Sequence, residues 1–565
     1  MEEKTRSSID ANTQATFEPP TQCQTSRRNE PADVDHPQHS DDTDGDTSED
    51  DIVYPKGAKL AVLTMALCLA VFLIALDQTI ISTAIPKITD EFKALDDIAW
   101  YGSAYLLGNT SVQLIFGKVY NFFSIKYTFL IAIGIFELGS VLCGAAPTSV
   151  VLIVGRAIAG LGVAGVFSGG TYALASVAGP LLGGVFTARM LLDQDKVSWR
   201  WCFYINLPIG AVAVVVIFFF LKIEPREKTV TLSLKEKLLE LDLYGTAVFV
   251  PSIICLLLAL QWGGTKYPWG NSRIIALFVV FAVLFIVFIV IQIWRQEGAT
   301  VPPRIIKIRN MYAAMWYAFC VGSCFLIFIY YLPIWFQAIK NASAVKSGIM
   351  GLPMVVGVVT MSMLSGVGVT VFGYAYFIIT LPMDEPLTSS RYYTPFMIAG
   401  SVCMAVGAGL ITTFEPTTSH AAWIGYPCLF GFGVGLGMQQ GLIAIQTVLT
   451  LDDVATGTAL LSFVQTLGAA VFIGVGQNVF SNELIKGLSQ QIPGFDASAI
   501  LSAGATELTS IGINEKYLPL VLRAYNDALR DCYYAAVAMA CATMVGAVLM
   551  PWNSIKAVKT VHRVA

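Results

Sequence analysis

The sequence predicts an all-α polytopic membrane protein with about fourteen transmembrane helices, and three observations carry that prediction. Of 565 residues, 55% are hydrophobic and only 13% are charged, about half the roughly 25% charge that a soluble surface uses; mean hydropathy is +0.65. Apolar stretches of about 20 residues, the length a helix needs to cross about 30 Å of hydrocarbon, recur from Leu60 onward. Lys and Arg gather in alternate short loops, as they do on the cytoplasmic side of membranes.

The same composition excludes other classes. Net charge is −4, with much of the acid in the first 51 residues, so no basic surface follows a phosphate backbone and nucleic acid is not an expected partner. The 11 cysteines form no CxxC pair and read as small buried hydrophobes, not as a disulfide or zinc framework. His36, His39, His420 and His562 all lie outside the apolar stretches, which argues against membrane haem. No Walker lysine loop, GxSxG elbow or HExxH is present, so no enzyme activity, cofactor or metal is implied, and transport would draw on an ion gradient.

In chain order, residues 1–58 are poor in apolar side chains and include the acidic run Asp41, Asp42, Asp44, Asp46, Glu49, Asp50 and Asp51. Such a segment buries too little surface to offset its ordering entropy and is expected to be a disordered tail. It has no apolar segment behind a basic start, so the first span is expected to direct insertion. Spans are expected near 60–85, 98–119, 127–147, 150–169, 171–188, 203–221, 243–262, 274–294, 311–337, 347–366, 393–414, 421–450, 455–480 and 533–551. The 222–242 and 295–310 loops carry five and four basic residues, against Lys266 and Arg273 between them. Both are therefore expected to be cytoplasmic, which puts both termini inside and the 481–532 connection outside. Asn341-Ala342-Ser343 falls on an outside loop, making Asn341 a glycosylation site in a secretory pathway. Asn109-Thr110-Ser111 matches the same pattern inside a span, out of the modifying enzyme's reach.

Two stretches fit this pattern poorly. Between Arg156 and Arg189 lie 32 uncharged residues, too long for one upright span. Two short helices joined near Ser168-Gly169-Gly170 keep the basic loops inside. After Lys346 no charge occurs until Asp384, and the surplus VGVTVFGYAYFIITL reads as an insertion that does not cross, since a fifteenth crossing breaks the parity.

Ionisable groups at membrane depth each cost about 2.5–3.5 kcal/mol on insertion scales and are functional by default. Asp77 in the first span, Glu137 in the third and Arg156 in the fourth are three such groups. An acid and an arginine on neighbouring spans lower each other's cost by pairing, and the acid is able to bind and release a proton; the alternative is a fixed ion pair that only locks helices. Gly155, Gly160, Gly162, Gly165, Gly169 and Gly170, with Gly179-Pro180 and Gly183-Gly184, offer small surfaces that let helices touch, and Pro180 adds a kink. In the second half Gln337, Gln439, Gln446 and Gln465 dot the spans beside aromatic residues. They read as the lining of a substrate cavity for amphipathic organic molecules, or as contacts between helices.

At LDQTIISTAIPKI, GRAIAGLGVAG, ASVAGPLLGG and WRWCFYINLPIGA the chain resembles the major facilitator superfamily, in particular its fourteen-span drug:proton antiporter branch and the fungal toxin and drug efflux pumps. The resemblance runs from about Lys59 to Trp552. It implies an N-terminal bundle (59–222), two linking spans with cytoplasmic loops (223–310), a C-terminal bundle (311–552) and a cytoplasmic tail (553–565). It also implies a central cavity worked by alternating access. Carried over by motif, Asp77 resembles the first-span acid and Arg156 the arginine tied to proton coupling. Gly179, Pro180, Gly183 and Gly184 resemble the antiporter motif associated with export. The expected activity is proton-driven efflux of amphipathic small molecules by a monomer in the plasma membrane, the vacuolar membrane being the alternative; substrate, protons and membrane lipid are the partners.

The chain also departs from the family. After the second span it reads GKVYNFFSIK, with Asn121 and Phe122 where the superfamily has an acidic and a basic residue. It lacks the charged linker that relatives carry between the fourth and fifth spans, and VFGYAYFIITLPMDEPLTSS looks foreign to them. The rival readings are a proton-coupled importer of a siderophore or nutrient, and a non-transporting product of a mis-spliced gene.

Overall fold

The computed structural model describes residues 98–175, 199–221, 240–264, 266–342, 344–367, 393–491 and 517–552, with single positions between Val62 and Phe92 and at Glu236 and Lys237. The acidic tail, the four antiporter-motif residues, the foreign-looking insertion and the C-terminal tail lie outside the described residues.

The chain is helical throughout these stretches. The first half holds α1 (Ile98–Phe122), α2 (Ile125–Gly144), α3 (Ser149–Ala175), the short α4 (Trp201–Tyr204) and α5 (Asn206–Phe220). The linking spans are α6 (Leu243–Trp262) and α7 (Ser272–Arg295). The second half holds α8 (Pro303–Ile306), α9 (Arg309–Ala338), α10 (Ala344–Val367), α11 (Thr394–Ile411), α12 (His420–Met438), α13 (Gln440–Val448), α14 (Leu451–Gln491) and α15 (Leu518–Leu549). Among the described residues eleven segments are long and apolar enough to cross a membrane, and they coincide with eleven of the fourteen expected spans. The all-α polytopic prediction is borne out. α1 is long enough but falls short in hydropathy, because Asn109, Thr110, Ser111 and Gln113 sit mid-helix.

Three differences from the sequence reading have physical causes. α3 continues through Ser168-Gly169-Gly170 to Ala175 without a turn, since in lipid every backbone group must be bonded internally and glycine does not end a helix there. The span expected at 421–450 breaks at Gln439 into α12 and α13. The 481–532 connection begins and ends in helix, α14 running to Gln491 and α15 starting at Leu518.

Because lipid is as apolar as leucine, close packing and polar contacts hold these helices together more than apolar burial does. α3 packs between α1 and α2, and α12 between α10 and α11; α9 packs on α14 and α15. At the α1–α3 seam the helices touch backbone to backbone: a Cβ on Gly108 meets the Ala157 carbonyl oxygen, and one on Gly160 meets that of Tyr105. In the second half, Trp335 Nε1 donates to Asn526 Oδ1 at 2.8 Å and Tyr533 to the Tyr331 carbonyl at 3.2 Å, tying α9 to α15.

The linking spans are joined by one carboxylate. Asp242, fully buried at a left-handed φ of 46°, caps α6. It accepts from Gly245 N (3.0 Å), Gln292 Nε2 (2.9 Å), and Thr300 N and Oγ1 (both 2.9 Å), and pairs with Arg295 at 3.2 Å. Burial works to raise its pKa, and the bonds from Gln292, Thr300 and Gly245 outweigh that and hold it below the ordinary carboxylate value. The opposite flank of α7 exposes Ile275, Val279, Val283, Ile286, Val290 and Ile293, an apolar face suited to acyl chains.

Candidate functional site

Asp77 and Arg156 meet at the centre of the first half. Arg156 Nη1 lies 2.5 Å from Asp77 Oδ2, and each residue is 1% exposed. Arg156 Nε donates to the Tyr101 carbonyl at 2.9 Å, and its guanidinium sits 4.2 Å from the centroid of the Tyr105 ring. The glycine seam between α1 and α3 brings the arginine close enough for both contacts. Asn206, in the NLPIG segment that opens α5, reaches Asp77 Oδ1 at 3.5 Å and Ser140 Oγ at 3.3 Å. Removing one partner of such a pair strands a buried charge and costs about 3–5 kcal/mol.

Glu137 is half-buried on α2, and neither of its carboxyl oxygens has a hydrogen-bond partner. It lies against Gly210 of α5, where a Cβ collides with Oε1.

Beside the ion pair a cavity of about 210 Å³ opens between the two halves. Tyr105, Asn109 and Gln113 line it from successive turns of α1, Arg156 from α3, Phe325 and Tyr330 from α9, Gln439 from the α12–α13 break, and Gln465 from α14. Asn109 and Gln113 are 2% and 1% exposed, and neither amide oxygen has a hydrogen-bond partner. The sequence reading passed over both. The polar run NTSVQ inside an otherwise apolar span is the signal that marks them in the sequence.

Of the four glutamines expected to line a cavity, Gln439 and Gln465 do, while Gln337 and Gln446 are not among its lining residues. Gln337 donates instead to Ser347 on α10 at 3.3 Å. Asn341 is exposed at the turn between α9 and α10, in a left-handed conformation (φ 49°) that asparagine tolerates.

α1 touches the second half at both of its ends. Near its start, a Cβ on Gly102 meets the Tyr330 hydroxyl at 2.6 Å; near its end, one on Gly117 meets Ala459 Cβ of α14 at 2.6 Å. Asn121, standing where the family has an acid, donates to Thr456 Oγ1 at 2.9 Å, so a neutral hydrogen bond joins the halves there. Lys118, a further buried cation (4% exposed), donates to the Glu297 carbonyl at 3.4 Å. Arg304 makes a two-pronged pair with Asp453 at 2.7 and 2.9 Å, and its bonds to Asp453 and then Glu297 hold its guanidinium above the ordinary value.

A family model described as Major Facilitator Superfamily matches residues 67–178 and 169–473. The chain belongs to the Major Facilitator Superfamily. It is 52% identical over 525 residues to the MFS-type efflux pump MFS1 of Arthroderma benhamiae, covering 89% of this chain and 93% of that one. It is 47% identical to the efflux pump roqT of Penicillium rubens (87% and 91% covered) and 46% identical to the efflux pump aflT of Aspergillus parasiticus (88% and 97% covered). The solved proton:xylose symporter XylE shares the fold, with a TM-score of 0.52 at 13% identity over 89% of this chain and 99% of that one.

Proposed function

We propose that this chain exports amphipathic small molecules by alternating access, driven by protons that bind at Asp77. The observation that carries the reading is the buried Asp77–Arg156 pair, whose arginine lines the cavity between the halves. Protonating Asp77 removes the partner charge of Arg156, and the neighbouring α1–α3 seam and Asn206 bond sense that change. Kinship with proteins named efflux pumps supports export over import. In this reading Glu137, against Gly210 of α5, is a second proton site, and the basic loops face the cytoplasm. Asn341 then faces outward in the plasma membrane of a monomer; a glycan lost in Asn341→Gln supports that orientation, and its absence from the secreted-pathway protein argues against it.

The test is transport in vesicles reconstituted with the purified chain under an imposed proton gradient. Gradient-dependent movement of a fluorescent amphipathic compound, abolished by protonophore and by Asp77→Asn with normal membrane expression, supports the reading. Unchanged transport in Asp77→Asn leaves the acid structural. The two matched family stretches overlap at 169–178; a chain made defective in that region by mis-splicing gives membrane protein with no transport of any compound.

A further inference from the structure

Among the described residues lining the cavity, Arg156 is the only one with a charged side chain, and the carboxylate beside it, Asp77, is already paired with it. The Tyr105 ring face already carries the Arg156 guanidinium at 4.2 Å. Hydrogen-bonding capacity, by contrast, stands unused. The amide oxygens of Asn109 and Gln113, one turn apart on α1 and almost wholly buried, have no partner. A buried amide without a partner is costly, and a bound molecule or water removes that cost. Gln439 and Gln465 add amides from the second half, and Phe325 and Tyr330 add ring surface.

We infer that the cavity selects neutral ring compounds that carry hydroxyl groups, through Asn109 and Gln113, and rejects lipophilic cations. This rests on the cavity being the transport site. The amide NH₂ groups donate to carbonyl and ether oxygens, the amide oxygens accept from phenolic hydroxyls, and the rings stack. A lipophilic cation gains only ring contact from Phe325 and Tyr330 and finds no unpaired carboxylate among the described lining residues to offset the desolvation of its charge. The pairing also suits exchange: with Asp77 ionised the arginine is held by its partner and the amides are open to a neutral molecule. Once Asp77 is protonated, Arg156 is released to bond the same amide oxygens in its place.

The test is ligand binding to the purified full-length chain in detergent, with no gradient, so that it is independent of proton coupling. The probes are a neutral trihydroxyanthraquinone and the lipophilic cation rhodamine 6G, followed by thermal stabilisation and titration of tryptophan fluorescence. The expected result is saturable binding of the anthraquinone, at least tenfold tighter than rhodamine 6G. The double variant Asn109→Leu with Gln113→Met weakens the anthraquinone at least tenfold and leaves the ligand-free melting temperature unchanged or raised, because two unpartnered polar groups are replaced by apolar ones of similar shape. Equal or tighter binding of rhodamine 6G overturns the inference, as does binding of neither probe. A double variant that melts well below the parent also overturns it, since the amides then serve the fold. Binding as expected without gradient-driven transport leaves this inference standing and removes the proton-coupled reading instead.

Discussion

The two halves of the protein divide their polar chemistry unequally. In the first half the side chains buried most deeply include full charges: Asp77, Arg156 and Lys118. The second half faces the cavity with amides, a hydroxyl-bearing α14 and a helix broken at Gln439, and its buried carboxylate, Asp453, sits at the start of α14 beside the exposed Arg304. The contrast teaches that charge and ligand contact need not share a helix. A charge buried away from water is stable only when locally neutralised, as Asp77 is by Arg156 beside the tight α1–α3 seam and Asp242 is by Arg295 and its hydrogen-bond donors. Hydrogen-bonding groups without charge tolerate the looser wall of a cavity.

The sharpest way to break this contrast is to separate the ion pair. Arg156→Leu leaves Asp77 uncompensated and is expected to cost about 3–5 kcal/mol of stability, measured by thermal unfolding in detergent, whereas Asp77→Asn with Arg156→Leu recovers most of that loss while transport stays absent. If the double variant is no more stable than the single one, the arginine is held by its other contacts. Next in size is Asp242→Asn in the linking spans, expected to cost about 2 kcal/mol because several donors lose a charged acceptor. Since folding lowers this carboxyl's pKa, its contribution is complete above the unfolded value near 3.9 and is lost as pH falls through the lower folded value. The wild type is therefore expected to lose stability at acid pH, by an increment that Asp242→Asn lacks.

Gly117→Val tests the contact between halves. The added side chain meets Ala459 on α14, and the expected outcome is several-fold slower transport, with greater labelling by a thiol reagent of a cysteine placed at Thr456. Unchanged labelling and rate leave the contact incidental. The smallest effect belongs to Arg304→Gln. Its pair with Asp453 is bidentate, yet the arginine is half exposed, so a change below about 1 kcal/mol that shrinks further in high salt is expected.

Much of this was legible in the sequence because lipid imposes strict accounting on each residue. Span lengths, and Asp77 and Arg156 as groups needing a reason to be there, followed from the cost of polarity in hydrocarbon. What escaped were features whose meaning depends on neighbours. Asn109 and Gln113 are ordinary span amides until the second half fails to give their oxygens a partner. Lys118, near the end of the span expected at 98–119, is buried only because the segment after α7 closes over it. The break at Gln439 has no proline to announce it, and the glycines at 169–170, which suggested a turn, sit within continuous helix.

The two contacts at the ends of α1 bear on how quickly the protein can work. Gly102 and Gly117 lie 15 residues apart, about 22 Å of helix rise, and neither brings a side chain of its own to the partner it touches. A contact of that kind gives up little rotamer freedom on forming and leaves little to disentangle on parting. Friction, more than binding strength, is what such surfaces minimise: a rigid rod bearing on two smooth points reverses its tilt without first reorganising either one.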